Sequence, residues 1–225
     1  MKKFTALFLS AIFLLFPFSV SAQNELHVIR EGNRSSMKIA LTFDDGPHPY
    51  RTDEVLNLLE KYRIKATFFV VGENVSYYPK PFKRAIELGH EIGNHTYHHK
   101  TLSKTCGETV LEEIRKTDEI IFNTAGIHPK LFRPPEGAYG EYALKAAQSM
   151  DLRMILWTVD TRDWERPPTQ TIVDNVMKNV KGGSILLFHD YMHKNAHTLE
   201  ALEIIIPKLL EKGFEFVTVS ELIEG

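Results

Sequence analysis

Asp44 and Asp45 stand side by side in the stretch IALTFDDGPHP (residues 39–49), where an apolar β-like run gives way to a Gly-Pro turn. Adjacent side chains at a strand end point in different directions. One carboxylate can therefore hold a cation while the other faces a water on that cation as general base. An Asp-Asp-Gly-Pro sequence also makes a plain turn, so partners elsewhere in the chain decide between the two. HTYHH, residues 95–99, offers such partners: His95 and His99 are four apart, and a helical or turn-like segment puts both imidazoles on one side. Alone it would read equally well as a solvated histidine-rich loop. With one carboxylate from the strand-end pair it becomes a facial His-His-Asp set with open positions, suited to zinc, cobalt, nickel or iron. His98 is expected to point away, towards the surface.

Three further stretches carry candidate chemistry. LLFHD (residues 186–190) ends an apolar run in His189, whose strand-end position suits a general acid across the site from Asp44. An acid must hold its proton at working pH, so a nearby carboxylate should raise its pKa, and Asp163 of DTRDW (160–164) is the candidate. Asp190 reads as an N-cap or a structural hydrogen-bond acceptor. In FRPPEG (132–137), Arg133 can pair with Asp44 and hold it ionised and oriented. The two prolines stiffen the turn, so the backbone N–H of Glu136 can be aimed at a developing oxyanion. Trp164 is a large apolar wall for either substrate or core.

The elements that must position these residues alternate in type. β-Branched or aromatic runs occupy residues 38–43, 66–71, 91–93, 131–133, 153–159, 184–188 and 215–219. Between them apolar residues recur at helical spacing, as in Val55, Leu58, Leu59 and Tyr62, or Val110, Ile114, Thr117 and Ile121. The last such pattern, Leu199 to Leu209, has Gly213 as a stop. The runs at 66–71 and 153–159 are nearly continuously apolar, as strands buried on both faces are. Seven strands separated by helices mean βαβ units and a mainly parallel sheet. The expected fold is α/β, a closed or nearly closed (β/α) barrel forming a single domain. In such barrels the C-terminal strand ends converge on the face that carries the chemistry, and Asp44, Asp45, His95, Arg133, Asp160, Asp163 and His189 all fall at or just past strand ends.

Residues 1–22 are a different material. Lys2 and Lys3 precede an apolar run that ends in Val20, Ser21 and Ala22, the pattern of a cleaved signal peptide. Thr5, Ser10, Pro17 and Ser19 interrupt it, against a transmembrane span, and the mature chain is expected to be secreted, periplasmic or wall-associated without stable membrane insertion. Residues 23–36 read as a polar, poorly ordered arm before a catalytic domain at 37–225. The balance of 27 basic and 29 acidic side chains gives no clustered basic surface and no nucleic-acid partner. Cys106 is the only cysteine, so no internal disulfide forms.

TFDDG, HTYHH, RPPEG, DTRDW and LLFHD, in this order, resemble the five motifs of the polysaccharide deacetylases, the NodB homology domain of carbohydrate esterase family 4. The resemblance spans roughly residues 36–222. It implies a distorted (β/α) barrel, with Asp44 as base and Asp45, His95 and His99 as ligands of one divalent metal, zinc or cobalt. It implies Arg133 oriented on Asp44, His189 as acid tuned by Asp163, and Trp164 with Leu187 around the acetyl methyl. The implied reaction is N-deacetylation of an N-acetylated glycan, peptidoglycan or a chitin-like oligomer. De-O-acetylation of xylan and non-catalytic wall binding are the alternatives. One departure is Glu136, where the family commonly has Tyr; the backbone N–H survives, but the groove gains a negative charge.

Overall fold

The computed structural model describes residues 28–191 and 196–225. Residues 1–22, expected to be a signal peptide, and the first residues of the arm lie outside the described residues, and no described helix is long and apolar enough to cross a membrane. The chain begins with β1 (Val28–Ile29), β2 (Lys38–Asp44), α1 (Arg51–Tyr62), β3 (Thr67–Val70), α2 (Gly72–Tyr77), α3 (Pro79–Glu87) and β4 (Glu91–Asn94). It continues through α4 (Gly107–Ala125), β5 (Leu131–Phe132), α5 (Glu141–Ser149), β6 (Arg153–Ile155) and β7 (Val159–Asp160). The last elements are α6 (Thr169–Asn179), β8 (Ile185–His189), α7 (Thr198–Glu211), β9 (Glu215–Phe216) and α8 (Val219–Glu224).

All named strand pairs are parallel, in the order β1-β6-β5-β4-β3-β2-β8-β7, with β9 beside the start of β2. β6 and β7 are two ends of one bent stretch. β6 pairs with β5 and β7 pairs with β8, so the sheet returns on itself as a distorted barrel. At the bend the backbone changes partner: Leu156 N–H donates to Ile29 and Thr158 N–H to Ile185. The seven expected strands are therefore present, with the 153–159 run divided in two.

Alternation along β2 separates two cores. Ile39, Leu41 and Phe43 face outward, into a cluster with Val55, Leu56 and Leu59 of α1 and Leu202 and Ile206 of α7. Ala40 faces inward, against Phe69, Leu131, Ile155 and Ile185. Thr42 and Asp44 share that inward parity and are buried higher in the barrel. Val217, Val219 and Leu222 close the bottom. α8 starts from a capping box in which Thr218 and Glu221 satisfy each other's backbone N–H groups, which ends the last strand at Phe216 rather than at residue 219.

The arm is not wholly loose. From residue 28 it joins the sheet: Val28 and Ile29 pair with Met154 and Ile155, Glu31 bridges Ser184, and Gly32 N–H donates to Gly183 at 2.8 Å. Its polar composition hid two apolar residues that seal the gap left by the bent strand.

Candidate active site

Asp44, the last residue of β2, is 3 % exposed, and its Oδ1 accepts from Arg133 Nη1 at 2.7 Å. Arg133 is fully buried inside the barrel, a placement that demands complete hydrogen bonding. It donates also to Thr42 Oγ1 and to the carbonyls of Ile155 and Leu156. Its guanidinium lies 4.0 Å from the Phe69 ring centroid. Gly93 is required beneath that ring, since a Cβ there would sit 2.4 Å from a Phe69 carbon. The barrel core thus holds Asp44 against a fixed cation.

Asp45 turns away from this pair because its backbone adopts φ 75°, the left-handed region that Asp tolerates better than most residues. Its Oδ1 lies 3.0 Å from His99 Nε2 and 3.4 Å from His95 Nε2, yet makes no hydrogen bond. His95 Nδ1 is 2.7 Å from the Arg133 carbonyl. A carbonyl only accepts, so Nδ1 carries the hydrogen and Nε2 offers its lone pair to the site. Ligand atoms of Asp45, His95 and His99 lie within 4.8 Å of one another. Two imidazoles and an orphaned buried carboxylate oxygen fit a divalent cation with open positions.

HTYHH is a turn, not a helix, with Thr96 and His99 at φ 66° and 55°. α2 and α4 hold it in place. Gly72 and Glu73 N–H donate to the Thr96 and Tyr97 carbonyls, while Asn74 Nδ2 donates to the Asp45 carbonyl at 2.7 Å. On the other side Glu113 of α4 accepts from the N–H groups of Tyr97 and His98 and meets His98 Nδ1 at 2.7 Å. His98 accordingly points away from the ligand trio.

Across the site, His189 ends β8. Its Nδ1 is 2.7 Å from Asp163 Oδ1, and Asp163 Oδ2 accepts from His189 N–H and Thr198 Oγ1. Burial alone would lower the imidazole, but Asp163 overrides it, helped by Asp45 and Asp44, and His189 is raised to about 9. Asp190 is a structural acceptor: Thr52 Oγ1 donates to it at 2.5 Å beneath the Gly46 turn. Burial raises its carboxyl to about 7.

These groups surround one cavity of about 470 Å³. Asp44, Asp45, His95, His99, Glu136, Trp164, Leu187 and His189 line it, and Arg133 and Asp163 stand directly behind Asp44 and His189. Trp164 is 55 % exposed, so it is wall rather than core. Glu136 sits at φ 59° with Thr101 Oγ1 donating to its carboxylate.

A family model described as polysaccharide deacetylase matches residues 31–155. The chain belongs to the polysaccharide deacetylase family. It is 41 % identical over 187 residues to a peptidoglycan-N-acetylglucosamine deacetylase of Bacillus cereus, covering 82 % of this chain and 87 % of that one. It is also 41 % identical over 186 residues to the peptidoglycan-N-acetylmuramic acid deacetylase of Bacillus subtilis, covering 83 % of this chain but only 38 % of that longer protein. The crystal structure of the peptidoglycan N-acetylglucosamine deacetylase Bc1960 superposes with TM-score 0.85 at 38 % identity, covering 88 % and 92 % of the two chains. The family model ends at residue 155, before Asp163, Trp164, Leu187 and His189; the closed sheet is what brings these four residues opposite Asp44, Asp45, His95 and His99.

Sequence reasoning missed three contributors, Trp157, Glu113 and Thr198. Trp157 lines the cavity, as does Asp160, which the sequence places at a strand end without a role. Trp157 was absorbed into an apolar strand, although its inward parity with Ile155 was readable. Glu113 carried a signal, an acid on the buried face between Val110 and Ile114. Thr198, which donates to Asp163, had none.

Proposed function

We propose that this family member is an exported, metal-dependent N-deacetylase that hydrolyses the acetamide of N-acetylated amino sugars in peptidoglycan or a chitin-like glycan to amine and acetate. The observation that carries the reading is the opposition of two fixed groups, Asp44 held by the Arg133 guanidinium and His189 held by the Asp163 carboxylate, across the Asp45–His95–His99 trio. Asp45, His95 and His99 would hold the ion, and a divalent ion such as zinc supplies Lewis acidity that acidifies water and polarises a carbonyl. Asp44, ion-paired with Arg133, takes a proton from the attacking water. The water oxygen bonds to the acetamide carbon while the Glu136 N–H donates to the oxygen that becomes anionic. His189 then gives its proton to the amine as the C–N bond breaks. Leu187 and Trp164 flank the acetyl methyl. Export rests on the Lys2-Lys3 and apolar pattern of residues 1–22, and a wall glycan agrees with the substrates named for both Bacillus relatives.

The test is acetate release by the purified chain from residue 23 onward, on peptidoglycan and on N-acetylglucosamine oligomers, before and after chelation and re-addition of zinc or cobalt. Metal-restored release supports the reading. Release from O-acetylated xylan alone replaces it with de-O-acetylation. Glycan binding with no release from any substrate replaces it with a wall-binding role.

A further inference from the structure

Glu136 makes its proposed contribution to the reaction through its backbone N–H, which leaves its side chain without a role. The turn that presents it is stiff. Pro134 and Pro135 precede it, and Glu136 and Gly137 both take positive φ, at 59° and 64°. A Cβ on Gly137 would sit 2.7 Å from the Trp157 ring, so glycine lets that ring pack directly on the turn. The carboxylate is held as well. Thr101 Oγ1 donates to its Oε2 at 3.0 Å, which ties the turn to the segment just past the HTYHH ligands. Glu136 is exposed and lines the cavity, so this anchored charge faces whatever enters.

The other walls decide what that charge can act on. Four carboxylates line the cavity, those of Asp44, Asp45, Glu136 and Asp160, and among the described residues no lysine or arginine does. Asp44 is paired with Arg133, and Asp45 belongs to the ligand trio. Glu136 and Asp160 have no such counterpart among the described residues. Asp160 accepts from the Arg162 N–H, but the Arg162 guanidinium is turned to Glu165, and Arg166 borders the recess beyond Trp164 rather than the cavity. Glu136 follows β5, Asp160 ends β7, and Trp157 stands between β6 and β7 against the Glu136 turn. An unbalanced charge acts over a screening length of about 8 Å at physiological salt, far enough to reach substituents on a bound sugar. Such a wall attracts an ammonium and repels a carboxylate.

Resting on the deacetylase reading, we propose that the Glu136 side chain, seconded by Asp160, selects substrate by charge. It favours an N-acetylated sugar beside a unit with a protonated amine and disfavours one beside a free carboxylate. Three glycans of equal length test it. They are a neutral N-acetylglucosamine tetramer, the same tetramer with one amine already freed, and a tetramer alternating N-acetylglucosamine with N-acetylmuramic acid, whose lactyl groups are carboxylates. Acetate release and calorimetric titration of the metal-free chain are followed at about pH 6, below the ordinary range of a primary amine. In wild type the amine-bearing tetramer is expected to exceed the carboxylate-bearing one roughly 2- to 5-fold in kcat/KM and in affinity. That ratio should fade from about 0.01 M to about 1 M salt, as the screening length contracts from ~30 Å to ~3 Å. Glu136→Gln keeps an acceptor for Thr101 and should bring the ratio towards parity with most of its salt dependence gone. Glu136→Lys should invert the order, which a folding defect cannot do. Turnover with the same ratio in wild type and Glu136→Lys overturns the charge selection and leaves the function standing. A binding order that inverts in Glu136→Lys, with no turnover of any tetramer, supports the selection and overturns the deacetylase reading. A wild-type chain that neither binds nor deacetylates any of the three overturns both.

Discussion

Replacing Asp44 with Asn keeps the shape and one acceptor oxygen but removes the anion that is paired with the fully buried Arg133. Two losses are expected together. Turnover should fall roughly 10²- to 10⁴-fold for want of a base, and stability should fall by up to about 3 kcal/mol because Arg133 is left uncompensated. Acetate release and urea unfolding on one preparation check both, and full turnover would refute the base. His189 makes a separate prediction in pH. Its folded value of about 9 lies above the ordinary histidine value of ~6.5. Between the two, the folded chain holds a proton that the unfolded chain has released, so the contribution to stability is complete below ~6.5 and disappears as pH rises through about 9. Catalysis by a protonated His189 should decline over the same alkaline limb. Asp163→Asn removes the dominant raising influence, so the limb should move to lower pH, a shift visible in the pH dependence of kcat. A cation at the ligand trio opposes the help from Asp44 and Asp45, and the metal-loaded limb should lie below that of the metal-free imidazole followed by NMR.

The ligands owe their places to elements that carry no chemistry. α2 grips both ligand loops at once, through Asn74 on the Asp45 carbonyl and through Gly72 and Glu73 on the HTYHH turn. Glu113 grips the same turn from α4. Asn74→Ala and Glu113→Gln should each weaken zinc binding roughly 10- to 100-fold while the fold survives, as calorimetric titration and circular dichroism would report. Undiminished affinity would mean that the turn holds its own shape. These supports also mark where the sequence was legible. The strands were readable because inward and outward positions are both apolar, and the site because its residues fall where those strands end. α2 was not readable: six residues beginning with Gly72 carry too few apolar positions for a period to emerge. What forms it is the carbonyls of Thr96 and Tyr97 accepting its first N–H groups, a long-range contact. Likewise no periodicity reveals that Gly93 is there to admit Phe69, although Gly inside a strand is a sign of close approach. Gly93→Ala should tilt Phe69 into Arg133 and lower turnover with all the proposed catalytic residues intact.

At the scale of the molecule, the site is a junction between distant parts of the chain. Asp45 leaves β2, His95 leaves β4, and the barrel closes through a bent strand and the Val28–Ile29 pairing. That closure was hidden in a polar arm, since two apolar residues among many polar ones signal a strand only when a partner strand is known. Because the three ligand residues converge only when the sheet is formed, a cation that binds them should bind the folded chain far better than the unfolded one. Binding to the folded state alone stabilises by about 2.7 kcal/mol at a free concentration 100 times Kd. For a chain of 225 residues that corresponds to a rise in Tm of roughly 5–10 °C. Thermal unfolding in zinc and in chelator should show this gap, and Asp45→Ala should close it by lowering the zinc curve onto the chelator curve. Asp45 Oδ1 lies 3.0 Å from His99 and 3.4 Å from His95, contacts that are lost with or without metal, so the readout is the gap between the zinc and chelator curves of the variant and not its absolute Tm. A gap that persisted in Asp45→Ala would place the stabilising ion elsewhere and separate the histidine turn from the aspartate pair that first suggested it.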